Sequence, residues 1–340
     1  MKHEIIIGDC LDSLAELPPD TFQTCITSPP YYQLRDYGID GQIGLEDSLE
    51  EHISSLVDVF RSVRRVLRPD GTLWLNYGDA YQDKQLLGLP WRMAFALQAD
   101  GWWLRSDIIW HKPNPIPSSV TDRPTSSHEY MFLLSPSQKY FYDADAVREK
   151  AVSTHGSGNG YKRSCRISID GRGSDEPYTP QEHRNLRDVW TIPTQPLSAA
   201  HFATFPPKLV EPCIKAGTSE KGSCPACGAP WRRIVEATGG TIGQGSWGEK
   251  TMEKGTQKNI NGMDTYKRTT KGWEPACECP DAPPVPCKVL DPFGGAGTVG
   301  LVADRLGRDS TLLELNPEYA ELARKRLIDD APLLCEVKIL

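Results

Sequence analysis

The sequence lacks any long hydrophobic run. None of its 340 residues lies in an apolar stretch that approaches the roughly 18 residues of a membrane-spanning helix. The amino-terminal segment, MKHEIIIGDC, has too short an apolar stretch for a signal peptide. We therefore expect a soluble, cytoplasmic protein with no membrane partner. In that reducing compartment, the ten cysteines are expected to bind metal or fill the core rather than form disulfides.

The sequence also lacks an excess of positive charge. Its net charge of −7 argues against attraction of the whole chain to a polyanion. The charge is unevenly distributed, however, because residues 150–187 carry seven Lys/Arg against four Asp/Glu, and residues 221–275 carry nine against five. These two basic segments can contact a polyanion locally, although Lys-rich solvated loops would have the same balance.

Strands and helices alternate at both ends of the chain. Residues 22–27 (FQTCIT) have the composition of a strand, and apolar residues recur at steps of three and four from Leu49 to Leu67, as on one face of a helix. Ser48 or Asp47 can cap that helix, and the RPDG segment is expected to end it. The alternation predicts an α/β fold, with a Rossmann-like, mostly parallel sheet that has helices on both faces.

The periodicity breaks twice, which predicts two insertions into this sheet. Residues 146–200 lack strong periodicity, and residues 218–287 form a second, cysteine-rich insert. The sheet domain is then split into residues 1–145 on one side, and residues 201–217 with residues 288–340 on the other.

A glycine-rich turn follows the strand KVLDPF near the carboxyl end. It contains Gly295-x-Gly297-x-x-Gly300, with Glu314 19 residues after Gly295, which matches the dinucleotide-binding fingerprint. Asp291 ends the strand beside the turn, however, and a carboxylate there suits a cationic ligand better than a pyrophosphate. S-adenosylmethionine carries an ammonium and a sulfonium group, and its ribose needs an acid such as Glu314. The alternative is a crossover that needs glycine for packing alone.

The segment TSPPYY ends a strand abruptly. Pro29 and Pro30 have no backbone N–H, so the carbonyls of Ser28 and Pro29 are expected to be held rigidly at the carboxyl end of a strand, where sheet enzymes bind ligands. These carbonyls and the Ser28 hydroxyl can accept hydrogen bonds from the amino group of a nucleobase, and Tyr31 can stack on the flipped base. Holding both N–H bonds out of plane restores lone-pair character to the nitrogen for attack on a methyl group. Ser28, Pro29, Pro30 and Tyr31 are therefore the predicted catalytic residues, with a simple Pro-Pro turn as the alternative.

At these motifs the sequence resembles the S-adenosylmethionine-dependent DNA amino-methyltransferases, and the motif order resembles their β class. The (D/N/S)PPY motif comes early, the recognition region in the middle and the cofactor turn late. The resemblance covers roughly residues 4–145 and 200–330, apart from the cysteine insert. It implies a catalytic first half, target recognition in the first insert and cofactor binding in the second half.

The resemblance also implies which residues contact the cofactor. Asp9 would approach the adenine ring, Glu314 would bind the ribose, and His201, Phe205 and Pro206 would border the methionine end. The full implied set is Asp9, Asp291, Phe293, Gly294, Gly295, Gly297, Thr298, Glu314, His201, Phe205 and Pro206. Double-stranded DNA is the implied substrate, and a homodimer is the implied assembly.

The residue before Pro-Pro-Tyr bears on the target base. In the family that the sequence resembles, serine at the position of Ser28 is typical of cytosine-N4 enzymes, and Asp or Asn is typical of adenine-N6 enzymes. We expect cytosine N4, with adenine N6 as the alternative. An RNA or protein-amide methyltransferase is a more distant alternative, because the motif can activate any planar amine. The complete motif set argues against a non-catalytic DNA-binding protein with a decayed enzyme core.

Four cysteines of the second insert are spaced as metal ligands. Cys224 and Cys227 belong to CPACGAPW, and Cys277 and Cys279 lie about fifty residues later. Four thiolates suit a tetrahedral, structural Zn²⁺, and Cys287 is a substitute ligand because the second pair is unusually close. Unpaired thiols in a loop-rich insert are the alternative. No H-x-E motif accompanies these cysteines, which argues against a zinc deaminase.

Overall fold

The computed structural model describes residues 1–36, 38–39, 41–151, 183–195, 205–238, 267–331 and 335–340. The helices in these residues are α1 (Cys10–Glu16), α2 (Leu49–Val66), α3 (Leu89–Ala99), α4 (Pro207–Gly217), α5 (Thr298–Arg305) and α6 (Pro317–Asp330). The strands are β1 (Lys2–Ile7), β2 (Phe22–Thr27), β3 (Leu67–Tyr77), β4 (Tyr81–Gln82), β5 (Gln85–Leu86), β6 (Trp103–His111), β7 (His128–Ser135), β8 (Glu149–Lys150), β9 (His183–Arg184), β10 (Val189–Thr191), β11 (Arg232–Thr238), β12 (Lys267–Glu274), β13 (Lys288–Asp291), β14 (Asp309–Glu314) and β15 (Glu336–Ile339).

Nine of these strands form one sheet. Their order is β10-β6-β7-β3-β2-β13-β14-β1-β15. Only β7 runs antiparallel to its neighbours, β3 and β6, and the other neighbouring strands are parallel. Helices α1, α2 and α3 pack together, and α4, α5 and α6 form a second group. The predicted Rossmann-like, mostly parallel sheet is confirmed.

The middle of the sheet joins the two halves of the sequence. All six residues of β2 are buried, and β2 lies between β3 and β13, with Leu290 opposite Cys25. From β2 the chain continues to β3 on one side, and from β13 it continues to β14 on the opposite side, so the order of the strands reverses between β2 and β13. Ligands of open α/β sheets bind at the carboxyl ends of the strands at such a point. Here those two ends carry the TSPPYY segment and the glycine turn.

Helix α2 begins where the sequence supplies a cap. The Ser48 hydroxyl accepts from the Glu51 amide and the Glu51 carboxylate accepts from the Ser48 amide, both at 3.2 Å, which satisfies two free donors. The helix ends at Val66, with Leu67 as its carboxyl-terminal cap residue, so it stops directly before the RPDG segment as predicted. The RPDG segment itself lies inside β3, where the register with β2 shifts. Glycine fits this bulge because a Cβ on Gly71 would lie 3.0 Å from the carbonyl oxygen of Arg68.

Two compact units are distinguished in the chain. The first takes Met1–Val147, Arg187–Arg232 and Trp273–Leu340, and it contains the nine-stranded sheet. The second takes Arg148–Leu186 and Arg233–Gly272, and its described strands are β8, which pairs with β9, and most of β11 and β12, which pair with each other. The cysteine-rich insert predicted from sequence is thus divided between the two units.

Most of the predicted target-recognition region lies outside the described residues, so its role stays a prediction.

None of the helices in the described residues is both long and apolar enough to cross a membrane.

Gly297 and Gly307 have nearly the same φ but differ in the space around them, so alanine variants of the two separate the cost of backbone strain from that of overpacking. Gly297 has a φ of +72° and a Cβ there would lie 2.8 Å from Ala323 Cβ, whereas Gly307 has a φ of +73° and no atom within 4 Å of a Cβ. Both alanine variants should lose about 1–2 kcal/mol of stability to the left-handed conformation. Gly297→Ala should lose about 1–3 kcal/mol more through overpacking against α6.

Urea unfolding of the two variants and the unchanged protein measures the difference. Equal losses in the free energy of unfolding for Gly297→Ala and Gly307→Ala would contradict the assigned close packing of α5 on α6.

Candidate functional site

Two neighbouring strands end in buried polar side chains that contact each other. Thr27 is the last residue of β2 and Asp291 the last residue of β13. The Thr27 hydroxyl donates to the Asp291 carboxylate, with 2.7 Å between Oγ1 and Oδ1, across 264 residues of sequence. Ser28 follows Thr27 directly, and the glycine turn follows Asp291. The structure therefore brings the TSPPYY segment and the glycine turn together.

A chain of hydrogen bonds holds the phenol of Tyr31. Ser28 Oγ donates to Tyr31 Oη at 3.3 Å, and Tyr31 Oη donates to Glu129 Oε2 at 3.0 Å. The Tyr31 ring meets the Tyr77 ring edge-on, with 5.1 Å between the centroids. Burial, with a smaller effect of the Glu129 charge, raises the pKa of Tyr31 well above its ordinary value, so the phenol remains a donor. A Cβ on Gly78 would lie 2.7 Å from the Tyr31 ring, so only glycine leaves room for it there.

Glu129 is the anion at the centre of these contacts. Its Oε2 also accepts from Asn76 Nδ2 at 3.1 Å, and its Oε1 forms an ion pair with the Lys112 ammonium group. The ammonium group in turn lies 4.4 Å from the centroid of the Trp110 ring. A largely buried carboxylate needs such an opposite charge and such donors to offset its lost hydration. The Tyr31 ring is therefore anchored to β3, β6 and β7.

The three glycines of the turn meet different surroundings. A Cβ on Gly294 would lie 3.0 Å from Leu312 Cβ, and one on Gly297 would clash with α6. Gly295 has a φ of +50°, and its nearest neighbour to a Cβ is the Phe293 carbonyl oxygen at 3.9 Å. Packing within the protein thus accounts for Gly294 and Gly297, whereas the open space at Gly295 leaves room for a ligand.

A buried carboxylate, Asp291, and a partly buried one, Glu314, form the acidic side of the site. Asp291 accepts from the Phe293 amide at 3.1 Å, and Glu314 accepts from the Gly295 amide at 2.7 Å. Burial raises the pKa of Asp291 to about 7, with a further increase from the Glu314 charge, and burial also raises the pKa of Glu314. In the described part of the chain, no lysine or arginine pairs with either carboxylate. Two carboxylates without a cationic partner fit a positively charged ligand, such as S-adenosylmethionine with its ammonium and sulfonium groups.

The other predicted site residues differ in their contacts. Asp9 caps α1 and accepts from the amide of Leu11 at 2.8 Å. The Thr298 hydroxyl accepts from Arg326 Nη1 at 2.9 Å. Pro206 is the amino-terminal cap residue of α4 and Phe205 precedes it, whereas His201 lies outside the described residues.

The four predicted metal ligands lie together. The Sγ atoms of Cys224, Cys227, Cys277 and Cys279 are all within 4.8 Å of one another. Zinc–sulfur bonds of about 2.3 Å would place tetrahedral sulfurs roughly 3.8 Å apart, so the cluster fits a zinc ion. Cys287 does not belong to this cluster, and its thiol is buried 3.7 Å from the Ser219 carbonyl oxygen.

The first cysteine pair is attached to the amino-terminal edge of the sheet. Gln23 Nε2, on β2, donates to the Gly228 carbonyl oxygen at 3.0 Å, and the Lys288 amide, on β13, donates to Gln23 Oε1 at 2.6 Å. Arg68 of β3 donates to the Cys227 carbonyl oxygen. The cysteine cluster therefore lies at the edge opposite to the TSPPYY segment.

Sequence reasoning did not find Thr27 or Lys112 as parts of this site, and it gave Glu129 no contact with Tyr31. Thr27 precedes the catalytic segment on a strand that had been identified, and its neighbour in the sheet ends in Asp291. Strand pairing alone would therefore have indicated Thr27. Glu129 and Lys112 flank a proline-rich loop, and no spacing rule links them to Tyr31.

Comparisons with known proteins agree with this arrangement. A family model described as DNA methylase, N6_N4_Mtase, matches residues 22–224. Type II methyltransferase M.SmaI of Serratia marcescens is 36% identical over 354 residues, covering 96% of this chain and 90% of that protein. M.Cfr9I of Citrobacter freundii is 36% identical over 349 residues, covering 94% and 86%. The structure of the PvuII DNA methyltransferase, described as cytosine-N4-specific, superposes with a TM-score of 0.60 at 18% identity, covering 97% of this chain and 88% of that one.

The sheet and its ligand-binding edge are those of an S-adenosylmethionine-dependent methyltransferase. The family model spans more than half of the sequence, and the relatives match along nearly all of it. The chain belongs to the N6/N4 DNA methylase family and is a DNA amino-methyltransferase.

The raised pKa of Asp291 predicts how cofactor affinity depends on pH. A bound cation favours the ionised carboxylate and lowers its pKa, so the affinity for S-adenosylmethionine should fall as pH decreases through about 7. The decrease should approach tenfold per pH unit, about 1.4 kcal/mol. Asp291→Asn should bind more weakly at pH 8 and show a flatter dependence.

Calorimetric titration between pH 6 and 8 measures this. Asp58→Asn, which changes an exposed carboxylate on α2, is the matched control and should keep the wild-type slope. A wild-type affinity that does not change across this range would show that Asp291 does not meet the cation.

Proposed function

We propose that this enzyme transfers the methyl group of S-adenosylmethionine to N4 of a cytosine flipped out of a specific duplex sequence. One observation carries the proposal, the 2.7 Å hydrogen bond between Thr27 and Asp291. It joins the TSPPYY segment, which carries the proposed acceptors of the amine, to the end of β13, where Asp291 can attract a cation. A flipped amine and an electrophilic methyl group can meet only if these two parts are adjacent.

The acceptors of the amine belong to Ser28 and Pro29. Their carbonyl oxygens and the Ser28 hydroxyl accept from the two N–H bonds, and the flanking proline residues keep these acceptors fixed. The Ser28 hydroxyl already donates to Tyr31, so its lone pairs are left for the base. Tyr31 stacks on the extruded base, and its anchoring through Glu129 fixes the position of the ring. Fixed acceptors stabilise the developing charge without reorganisation.

The residues proposed to bind the cofactor attract its positive charge and leave room for its close approach. S-adenosylmethionine supplies the methyl group as an electrophile on positively charged sulfur. Asp291 attracts the cationic end, Glu314 accepts from the ribose hydroxyls, and Gly295 allows close approach. Asp9, Phe293, Thr298, Phe205 and Pro206 complete the proposed pocket, together with His201. A Thermus thermophilus protein of the same fold was solved in complex with S-adenosyl-L-methionine (TM-score 0.54, 21% identity).

The choice of cytosine rests on Ser28. The serine hydroxyl is short and neutral, as in the cytosine-N4 enzymes that the motif resembles, and the alternative product is N6-methyladenine.

Nucleoside mass spectrometry identifies the target base. Unmethylated duplex DNA incubated with enzyme and cofactor should yield N4-methylcytosine after digestion, and sequencing of the product maps the site. Ser28→Ala is the control for chemistry at this site and should slow transfer by roughly tenfold to a hundredfold. N6-methyladenine as the product would refute the proposed base and leave the methyltransferase assignment intact.

We also propose that the four clustered cysteines hold a structural zinc ion. The geometry supports this proposal, because the four sulfur atoms lie within 4.8 Å of one another and would fill all four positions of a tetrahedral zinc ion, leaving none for a substrate. The ion would join the two ends of a long insert and fix them to β2 and β3 through Gln23 and Arg68.

Zinc removal should reveal this role. The purified protein should contain one zinc per chain, and replacing Cys224 and Cys227 together by serine should abolish binding and lower the melting temperature. Cys287→Ser changes a buried thiol outside the cluster and should retain the metal. Full zinc content in the double variant, or none in the unchanged protein, would refute the site.

A further inference from the structure

One apolar side chain, in the loop between β6 and β7, is almost fully exposed. Ile116 is 84% exposed, the largest exposed fraction among the large hydrophobic side chains of the described residues. It lies in the proline-rich loop formed by residues 112–127, which joins β6 to β7. An isoleucine in water loses the roughly 1.5–3 kcal/mol that burial of such a side chain provides. Nothing in the described part of the fold accounts for this exposure.

The loop begins and ends in the hydrogen-bond network of Tyr31. Lys112, at its start, pairs with Glu129, which directly follows His128 at the start of β7, and Glu129 accepts from Tyr31 Oη at 3.0 Å. The Lys112 amide closes the base of the loop by donating to the Ser127 carbonyl oxygen at 2.7 Å. The ends of the loop are therefore linked through Glu129 to Tyr31, the ring proposed to stack on the target base.

The loop is also held on both sides of Ile116. The Thr194 amide donates to Asn114 Oδ1 at 3.0 Å, two residues before Ile116. The guanidinium group of Arg123 lies 3.7 Å from the centroid of the Tyr81 ring on β4. Proline occupies both positions next to Ile116, so φ is fixed on either side. A side chain presented on such a restrained segment loses little conformational entropy on binding.

We propose that Ile116 is a wedge that enters the DNA duplex in the space left by the target base. This rests on the proposed function, in which the base leaves the stack. Extrusion costs a few kcal/mol in lost stacking and pairing, and an apolar side chain between base steps offsets part of that cost. Ile116 is exposed in the free protein, and it becomes buried only when it enters a duplex from which a base has been extruded. It acts in base extrusion and takes no part in methyl transfer itself.

The test compares two duplexes that carry the mapped recognition site. In the first, the target base is paired, and in the second, its partner is replaced by an abasic position, so that little pairing has to be broken. Single-turnover methylation rates are measured on both for the unchanged enzyme, Ile116→Ala and Val120→Ala. Val120 belongs to the same loop and is 39% exposed, which makes it the matched control. A parallel duplex with 2-aminopurine at the target position reports extrusion by fluorescence, without methyl transfer.

Ile116→Ala should slow methylation of the paired duplex about tenfold, equivalent to about 1.4 kcal/mol, and reduce the fluorescence increase. On the abasic duplex it should stay within about twofold of the unchanged enzyme, and Val120→Ala should match the unchanged enzyme on both. Equal losses of Ile116→Ala on both duplexes, or no loss on the paired one, would overturn the wedge. Failure of the unchanged enzyme to methylate either duplex would instead count against the proposed function.

Discussion

The hydrogen bond between Thr27 and Asp291 is the constraint on which the site depends. It is buried, it joins two central strands, and its partners are distant in sequence. Parallel pairing of β2 with β13 sets the two strand ends at one edge, and the hydrogen bond fixes their side chains there. By donating to Asp291, the Thr27 hydroxyl also stabilises the ionised form of a carboxylate that burial disfavours. The geometry for transfer and the electrostatics for the cofactor therefore have a common origin.

The local features of the fold could be predicted from sequence because local rules specify them. The amino-terminal cap of α2 and the strand before Pro29 each depend on a few consecutive residues. The end of α2 before the RPDG segment was also predicted, whereas the bulge that RPDG forms in β3 depends on the pairing of β2 with β3. The glycine turn was assigned to a ligand, but Gly297 first serves contact with α6. Such tertiary contacts cannot be derived from a motif.

The anchoring of Tyr31 was beyond sequence reasoning for a related reason. Glu129 lies on β7, Lys112 directly follows β6, and the Glu129 carboxylate reaches Tyr31 because β7 runs antiparallel between β3 and β6. Antiparallel β7 starts at the edge where its parallel neighbours end, which places a carboxylate beside a phenol. A largely buried charge at that position is tolerated because Lys112 and Asn76 compensate it. The one reversed strand of the sheet thus supplies the anion that holds the aromatic ring.

The attachment of the cysteine cluster to β2 and β3 has a consequence for how the family can diversify. The chain between Cys227 and Cys277 starts and ends at the cysteine cluster, which is attached to the amino-terminal ends of β2 and β3, remote from the TSPPYY segment. The free energy of closing a loop with fixed ends depends only weakly on its length, since doubling the length costs only about 0.6 kcal/mol. Segments between Cys227 and Cys277 can therefore be exchanged, shortened or extended during evolution while the register of the central strands is preserved.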